Sequence, residues 1–464
     1  KKPLAANNPA TKEQARDLKR EQKRKKRREA REEKNNKPAT KTPNVLFIVC
    51  DDLNTHVAPS GYTPIQTPSL DSLAAKSMTF RRAYCQYPVC GPSRASFLSG
   101  LYPETTGVLN NTADIRQSRP GSVSMPEQFN DHGYWTASVG KIFHSTRHQH
   151  GEVAWHEQVM FQNDELPLIT QARKAYEAEN GPVDQRTNRK KWKAHLQKLS
   201  TQTRGQTPPG YGPTGLDDEQ HKDGKNVRQI ISWIDQKKYG EKPFFIACGI
   251  QKPHVPFLAP RKYFDQYPVD KIKFRLSPAD DWNDIPALAM VKRFQSFGFE
   301  MGREKDSLRR EYTQAYHACI SYIDAQLGML FQALREHNLW EETIIIFTSD
   351  HGYHLGEHFM WGKVTLFEEC ARVPLIIRVP GMTRAGTSTN ALVELVDFHP
   401  TLRELCGLQK KEALQGKSLV PLLRNPESPG KKYAYTVVSR GAKLGRSIRT
   451  QNWRYAQWGG PKEA

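Results

Sequence analysis

The sequence predicts an α/β fold, a large mixed and mostly parallel sheet with helices on both faces, followed by a small C-terminal α/β subdomain. Three observations predict it. Val45-Leu46-Phe47-Ile48-Val49-Cys50 is an unbroken apolar run, the pattern of a strand buried on both faces, and it stops abruptly at Asp51-Asp52. A second such run, Thr343–Thr348, stops at Asp350-His351-Gly352. Between them, Leu308–His337 reads as one long helix, its apolar or small residues Ala315, Cys319, Tyr322, Ile323, Leu327, Leu330 and Leu334 recurring every three or four positions. A chain of 464 residues is long enough for one large domain and a smaller one.

Taken in order, the chain opens on a basic segment. Residues 1–42 hold 16 Lys/Arg against 6 Asp/Glu, half of the formal net charge of +20. Lys19–Arg28 contains no aromatic residue, so the segment cannot bury enough apolar surface to offset its ordering entropy and reads as a disordered or solvated tail. The catalytic domain is expected over 43–425. It includes a short helix at Thr67–Ala74, helical character from Ala95 to Leu98, and strands at Thr136–Val139, Phe244–Gly249 and Leu375–Val379. A polar stretch from about 145 to 225, rich in Gln, Lys, Gly and Pro, reads as insertion and loop material until helical periodicity returns at Val227–Ile234. In the subdomain, 426–464, Tyr433–Val438 and Ser447–Trp458 read as strands of a small antiparallel sheet, which is expected to be cut short where the chain stops at Ala464.

Composition narrows the function. The tail gives a polyanion-binding protein as a rival reading, because basic blocks bind anionic polymers by counterion release. No aromatic residues interleave the charges and no nucleic-acid motif follows, so nucleic acid is not the expected partner. Seven cysteines without C-x-x-C spacing argue against a disulfide scaffold or a zinc site. No apolar stretch near the start is long enough for a signal peptide or a membrane span, and the sequence carries no information on oligomeric state.

The polar residues at the strand ends carry the chemistry. Asp51, Asp52 and Asp350 reach one rim of the sheet, because functional groups in open α/β sheets gather at the carboxyl ends of strands. Three carboxylates at close range repel one another unless a cation neutralises them, and calcium or magnesium is the natural occupant, with His351 beside them. Lys141 and His144, three residues apart after an apolar run, share a face if the segment is helical. Lys252-Pro253-His254 follows the Phe244–Gly249 strand, Lys363 lies in Trp361-Gly362-Lys363, and His354 and His358 are candidates for the substrate side.

Cys90-Gly91-Pro92-Ser93-Arg94 fits the pattern C-x-P-x-R, and its context from Pro88 to Gly100 resembles the type I sulfatases beyond the motif. The resemblance runs from about Asn44 to the end. The Asp51-Asp52-Leu53 start, Gly140-Lys141-Ile142-Phe143-His144, Lys252-Pro253-His254, Asp350-His351 and Gly445–Thr450 resemble the iduronate-2-sulfatase branch. Many arylsulfatases carry asparagine at the position of His351. The resemblance implies an alkaline-phosphatase-like fold and hydrolysis of sulfate esters on a sulfated carbohydrate, such as a 2-O-sulfated uronic acid. It implies that a formylglycine-generating enzyme converts Cys90 to Cα-formylglycine, whose hydrate attacks sulfur. It also implies one Ca2+ held by Asp51, Asp52, Asp350, His351 and the converted Cys90. Arg94, Lys141 and Lys363 would then stabilise sulfuryl charge, His144 would act as base on the hydrate, and His254 would protonate the leaving oxygen. A periplasmic, secreted or lysosome-like location is implied in the same way. A phosphate or phosphonate monoester hydrolase of the same superfamily is the nearest alternative, since both ester groups are tetrahedral.

Overall fold

The computed structural model describes residues 42–459 except 145–150, 163, 164, 166, 184, 203–210, 275, 292, 293, 297, 298, 302–305 and 410–412. The basic tail expected at the start lies outside the described residues.

Eight strands form the main sheet: β1 (Asn44–Asp51), β2 (Met78–Phe80), β3 (Trp135–Gly140), β4 (Glu157–Val159), β5 (Phe244–Pro253), β6 (Thr343–Ser349), β7 (Leu375–Arg378) and β8 (Thr387–Thr389). Their spatial order is β8-β2-β7-β6-β1-β5-β3-β4. The run from β6 to β4 is parallel throughout, while β7 pairs antiparallel with both β6 and β2. Every residue of β1 and of β6 is buried, which accounts for their continuous rather than alternating hydrophobicity.

Side-chain alternation divides the interior into two layers. Leu46, Ile48 and Cys50 face one cluster, and Val45, Phe47 and Val49 face the other. The first layer is covered by α1 (Pro68–Ala74), α5 (Lys222–Asp235) and α6 (Asp306–Glu336), through Leu70, Leu73, Ile230, Trp233, Ile323 and Leu327 among others. The second is covered by α2 (Cys90–Ser99) and α7 (Phe398–Leu405), through Phe97, Leu98, Phe398 and Leu402. Each such side chain contributes about 1.5–3 kcal/mol on burial, so the two layers hold the strand ends rigid. Helix α2 stops at Gly100, whose left-handed backbone (φ 71°) closes the last turn.

Two expectations change. The polar stretch is not all loop: it contains α3 (Pro167–Asn180) and α4 (Arg186–Gln202), which meet through Tyr176 and Trp192, ring centroids 5.3 Å apart. Their helix-forming Ala, Lys, Arg and Gln residues leave little apolar periodicity to read. The Ser447–Trp458 stretch is not one strand but the parts of two. In the small sheet β9 (Ala434–Arg440), β10 (Lys443–Arg449) and β11 (Arg454–Trp458) form an antiparallel meander, and a turn closed by Thr450 N–H donating to Trp453 O (2.8 Å) separates the last two. Val437 and Val438 pack this sheet against Tyr87 and Leu366, three residues from Cys90 and from Lys363 respectively.

Candidate active site

The first two carboxylates owe their convergence to one backbone torsion. Consecutive strand residues point to opposite faces, but Asp52 leaves β1 in a left-handed conformation (φ 67°), so Asp51 and Asp52 turn toward a common centre. Tyr316 of α6 fixes this turn: its hydroxyl donates to Asp52 O (2.7 Å) and accepts from Asn54 N–H (2.8 Å). Asp350 follows β6, the neighbour of β1, and its Oδ1 accepts from the backbone N–H groups of Asp52 (3.2 Å) and His351 (2.9 Å).

Cys90 opens α2 and is 1% exposed. Its sulfur lies 3.2 Å from Asp51 Oδ1, 3.4 Å from His351 Nε2 and 3.2 Å from Lys363 Nζ. Burial and Asp51 push the thiol up, yet the ammonium groups of Lys141 and Lys363 prevail and bring it below its ordinary value. One turn along the helix, Arg94 is fully buried: Nε meets Asp350 Oδ2 at 2.8 Å, and Nη1 donates to the carbonyls of Lys141 and Ile142. Ser93 Oγ donates to Asp350 O (2.5 Å). Helix α2 is thereby bonded to the ends of both β3 and β6.

Lys141 and His144 do not lie on a helix. Strand β3 ends at Gly140 (φ 69°), and an irregular turn follows, so no helical face is shared. The glycine is required, because a Cβ there would lie 2.1 Å from Gly249 O. The turn delivers Lys141 Nζ to Asp51 Oδ2 at 2.6 Å. His144 Nδ1 is buried without a hydrogen-bond partner among the described residues, and burial, reinforced by Lys141, pushes its imidazole down to about 4. It is therefore a neutral ring at physiological pH. Lys363, from the segment after β6, places Nζ 2.5 Å from Asp52 Oδ1. His254 Nε2 stands 3.9 Å from Asp52 Oδ2, while Nδ1 lies 2.6 Å from the carbonyl of Val255.

The other two histidines lie apart. His354 is fully buried and bonded to Thr365 Oγ1 (2.8 Å), so it lines no open surface and the expectation of a substrate-side role fails for it. His358 is partly exposed, and its Nδ1 is hydrogen-bonded to Asp281 Oδ2 (2.9 Å).

The donor set fits a cation. Asp51, Cys90, Asp350 and His351 present ligand atoms within 4.8 Å of one another, as do Asp51, Asp52, Cys90 and His254. Asp52 Oδ2 is buried with no hydrogen-bond partner among the described residues. His351 directs Nδ1 at the carbonyl of Gly352 (2.9 Å), which leaves Nε2 pointing at the centre. Burial alone would lower His351, but Asp350 overrides it and lifts the ring to about 9: the carboxylates draw positive charge to this spot.

Pattern reading identified the groups at the centre and missed those behind them. Tyr316, Asp223 and Glu165 support the site from positions remote in sequence, and no local motif marks them.

Comparison with known proteins gives the family. The family described as Sulfatase matches residues 43–408. A sulfatase from Formosa agariphila is 33% identical over 90% of this chain and 79% of its own length. Mouse iduronate 2-sulfatase is 31% identical over 80% of this chain and 70% of its own. Among solved structures, the phosphonate monoester hydrolase of Agrobacterium radiobacter shares the fold with a TM-score of 0.72 at 22% identity, covering 90% of this chain and 87% of that one. The chain belongs to the sulfatase family and is a sulfuric ester hydrolase of alkaline-phosphatase-like fold.

Proposed function

We propose that this protein removes a sulfate group from a sulfated carbohydrate, a 2-O-sulfated uronic acid being the favoured unit, at a centre built on Cys90. The observation that carries the reading is the convergence of Cys90 with Lys141, Lys363, His351 and three carboxylates in one buried cluster. The sugar follows from the likeness to iduronate 2-sulfatase. A location outside the cytosol goes with a sulfated carbohydrate substrate and is part of the same proposal; no helix among the described residues is long and apolar enough to cross a membrane.

Asp51, Asp52, Asp350 and His351 would hold Ca2+, which when bound supplies a fixed positive charge for sulfuryl oxygens. A thiolate is a soft ligand and suits zinc, whereas an oxygen in its place completes a hard-cation site; conversion of Cys90 to formylglycine by a maturation enzyme supplies that oxygen and a hydrated aldehyde as nucleophile. The chain's own residues do the rest. Lys141 and Lys363 flank position 90 and neutralise charge that grows on the sulfate oxygens, preorganised by their carboxylate partners. Arg94 is tied to Asp350 and two carbonyls, so it orients the carboxylate and the Lys141 turn. His144, neutral and with Nδ1 unpartnered, takes a proton from the nucleophile, and His254 gives one to the departing alcohol oxygen.

The test is turnover on matched sulfate and phosphate monoesters of one sugar by protein co-expressed with a formylglycine-generating enzyme. Preference for the sulfate ester is expected. Preference for the phosphate ester would replace the reading with a phosphomonoesterase.

A further inference from the structure

His254 stands on a loop that something must hold still. The loop leaves the end of β5, and its backbone is gripped at once: the Asp223 carboxylate, in the first turn of α5, accepts from the N–H groups of Gln251 (2.7 Å) and Lys252 (2.8 Å). The side chain of Lys252 does not approach the catalytic centre. It is fully buried, and its ammonium bonds to Glu165 Oε2 (2.6 Å) and to the carbonyl of Pro256 (2.9 Å). The lysine thus spans the base of the segment 252–256, with His254 at its apex and His254 N–H donating back to Gln251 O (2.9 Å).

Glu165 is 2% exposed and comes from the polar insertion. Its other oxygen lies 3.4 Å from His221 Nδ1 and accepts from Lys222 N–H (3.3 Å), where α5 begins. The ammonium of Lys252 outweighs burial and holds the Glu165 carboxyl low, at about 2, so the pair is ionised. The same α5 turn reaches the opposite wall of the site: Asn226 Nδ2 donates to Gly249 O (3.1 Å), and a Cβ on Gly249 would lie 2.3 Å from the carbonyl oxygen of Lys141.

We infer that Glu165 and Lys252 are positioning residues for His254: a buried ion pair through which the insertion braces the loop that presents the proton donor. This rests on the reading of His254 as general acid. A surface pair would add little, but removal of one member of a buried pair leaves the other charge uncompensated and lets the loop move. Neither residue touches the reacting atoms, so the expected consequence is selective. Proton donation matters for an alcohol leaving group and hardly at all for a good phenolate, and general acid catalysis accounts for about 10²–10⁴-fold.

The experiment compares kcat/KM on an alkyl sugar sulfate and on nitrophenyl sulfate, using the mature enzyme and the variants His254→Ala and Glu165→Gln. His254→Ala is expected to lose roughly 10²–10⁴-fold on the alkyl ester and little on the aryl ester. Glu165→Gln is expected to show the same selectivity at smaller size, about tenfold on the alkyl ester. Should Glu165→Gln not fold, the double variant Glu165→Leu/Lys252→Met, which leaves no buried charge unpaired, is expected to fold and retain the alkyl-selective loss. If His254→Ala is selective but Glu165→Gln or the double variant loses both esters equally, or neither, the brace is overturned. If His254→Ala itself shows no selectivity, the acid assignment falls and the inference falls with it.

Discussion

The ends of β1 and β6 and the polar insertion contribute to one site in opposite ways. The strand ends deliver Asp51, Asp52, Asp350 and His351 from rigid, fully buried elements that pair in parallel register. The insertion delivers Glu165 to the same neighbourhood from a segment whose helices carry few apolar residues. The groups proposed to act on substrate are built into the sheet, and a group that supports them comes from the polar insertion. The contrast teaches that reading motifs finds the groups that converge at the buried cluster and overlooks the groups that hold them.

The sharpest way to break the comparison is at a strand end. Asp350→Ala removes a carboxylate and the partner of Arg94, and is expected to lower bound metal and to cut kcat by about 10²–10³-fold together. Metal analysis alongside kinetics checks it; full metal occupancy would remove Asp350 from the ligand set. Next comes Gly249→Ala, which leaves every charged group in place but forces a Cβ against the Lys141 backbone at 2.3 Å. Overpacking of this kind costs about 1–3 kcal/mol, so both thermal midpoint and turnover should fall.

Without any substitution, pH separates the body from the insertion. His317, His354 and His399 are buried in the body, and burial pushes them down to about 3, 3 and 4. They are neutral in the folded chain and protonate near pH 6.5 once unfolded, so the stability these three contribute is full above about pH 6.5 and declines as pH falls toward 4, by up to about 1.4 kcal/mol per group and pH unit. Thermal midpoints at about pH 7.5 and pH 5 should differ in that direction, and His317→Gln should reduce the difference. The least effect is expected in the insertion helices: Trp192→Ala loses the ring contact with Tyr176 and should change stability by about 1 kcal/mol or less, with turnover unchanged. Lost turnover there would show that α3 and α4 contribute to the site.

The legibility of the sequence follows the same division. β1, β6 and α6 were readable because burial on both faces, or on one helical stripe, writes itself as hydrophobic pattern. Cys90, Arg94 and the acidic strand ends were readable because their spacing is local. The helices α3 and α4 were not, since their stability comes from helix-forming polar residues rather than from an apolar face. The Lys141–His144 turn was misread as a possible helix because its shape depends on a close approach of Gly140 to Gly249, a tertiary contact. His354 reads like a site residue from its neighbourhood, yet its bond to Thr365 consumes it inside the core. Glu165 has no signal in the chain, because the lysine it pairs with, Lys252, lies 87 positions away.

The central claim is that sulfate-ester hydrolysis runs through position 90. Sulfate release from a 2-O-sulfated uronate disaccharide should therefore be measured for the enzyme matured with a formylglycine-generating enzyme and for Cys90→Ala prepared the same way. The account predicts turnover by the matured enzyme and a loss of about 10⁴-fold or more in the variant, as expected when a nucleophile is removed. Equal release by Cys90→Ala would contradict it.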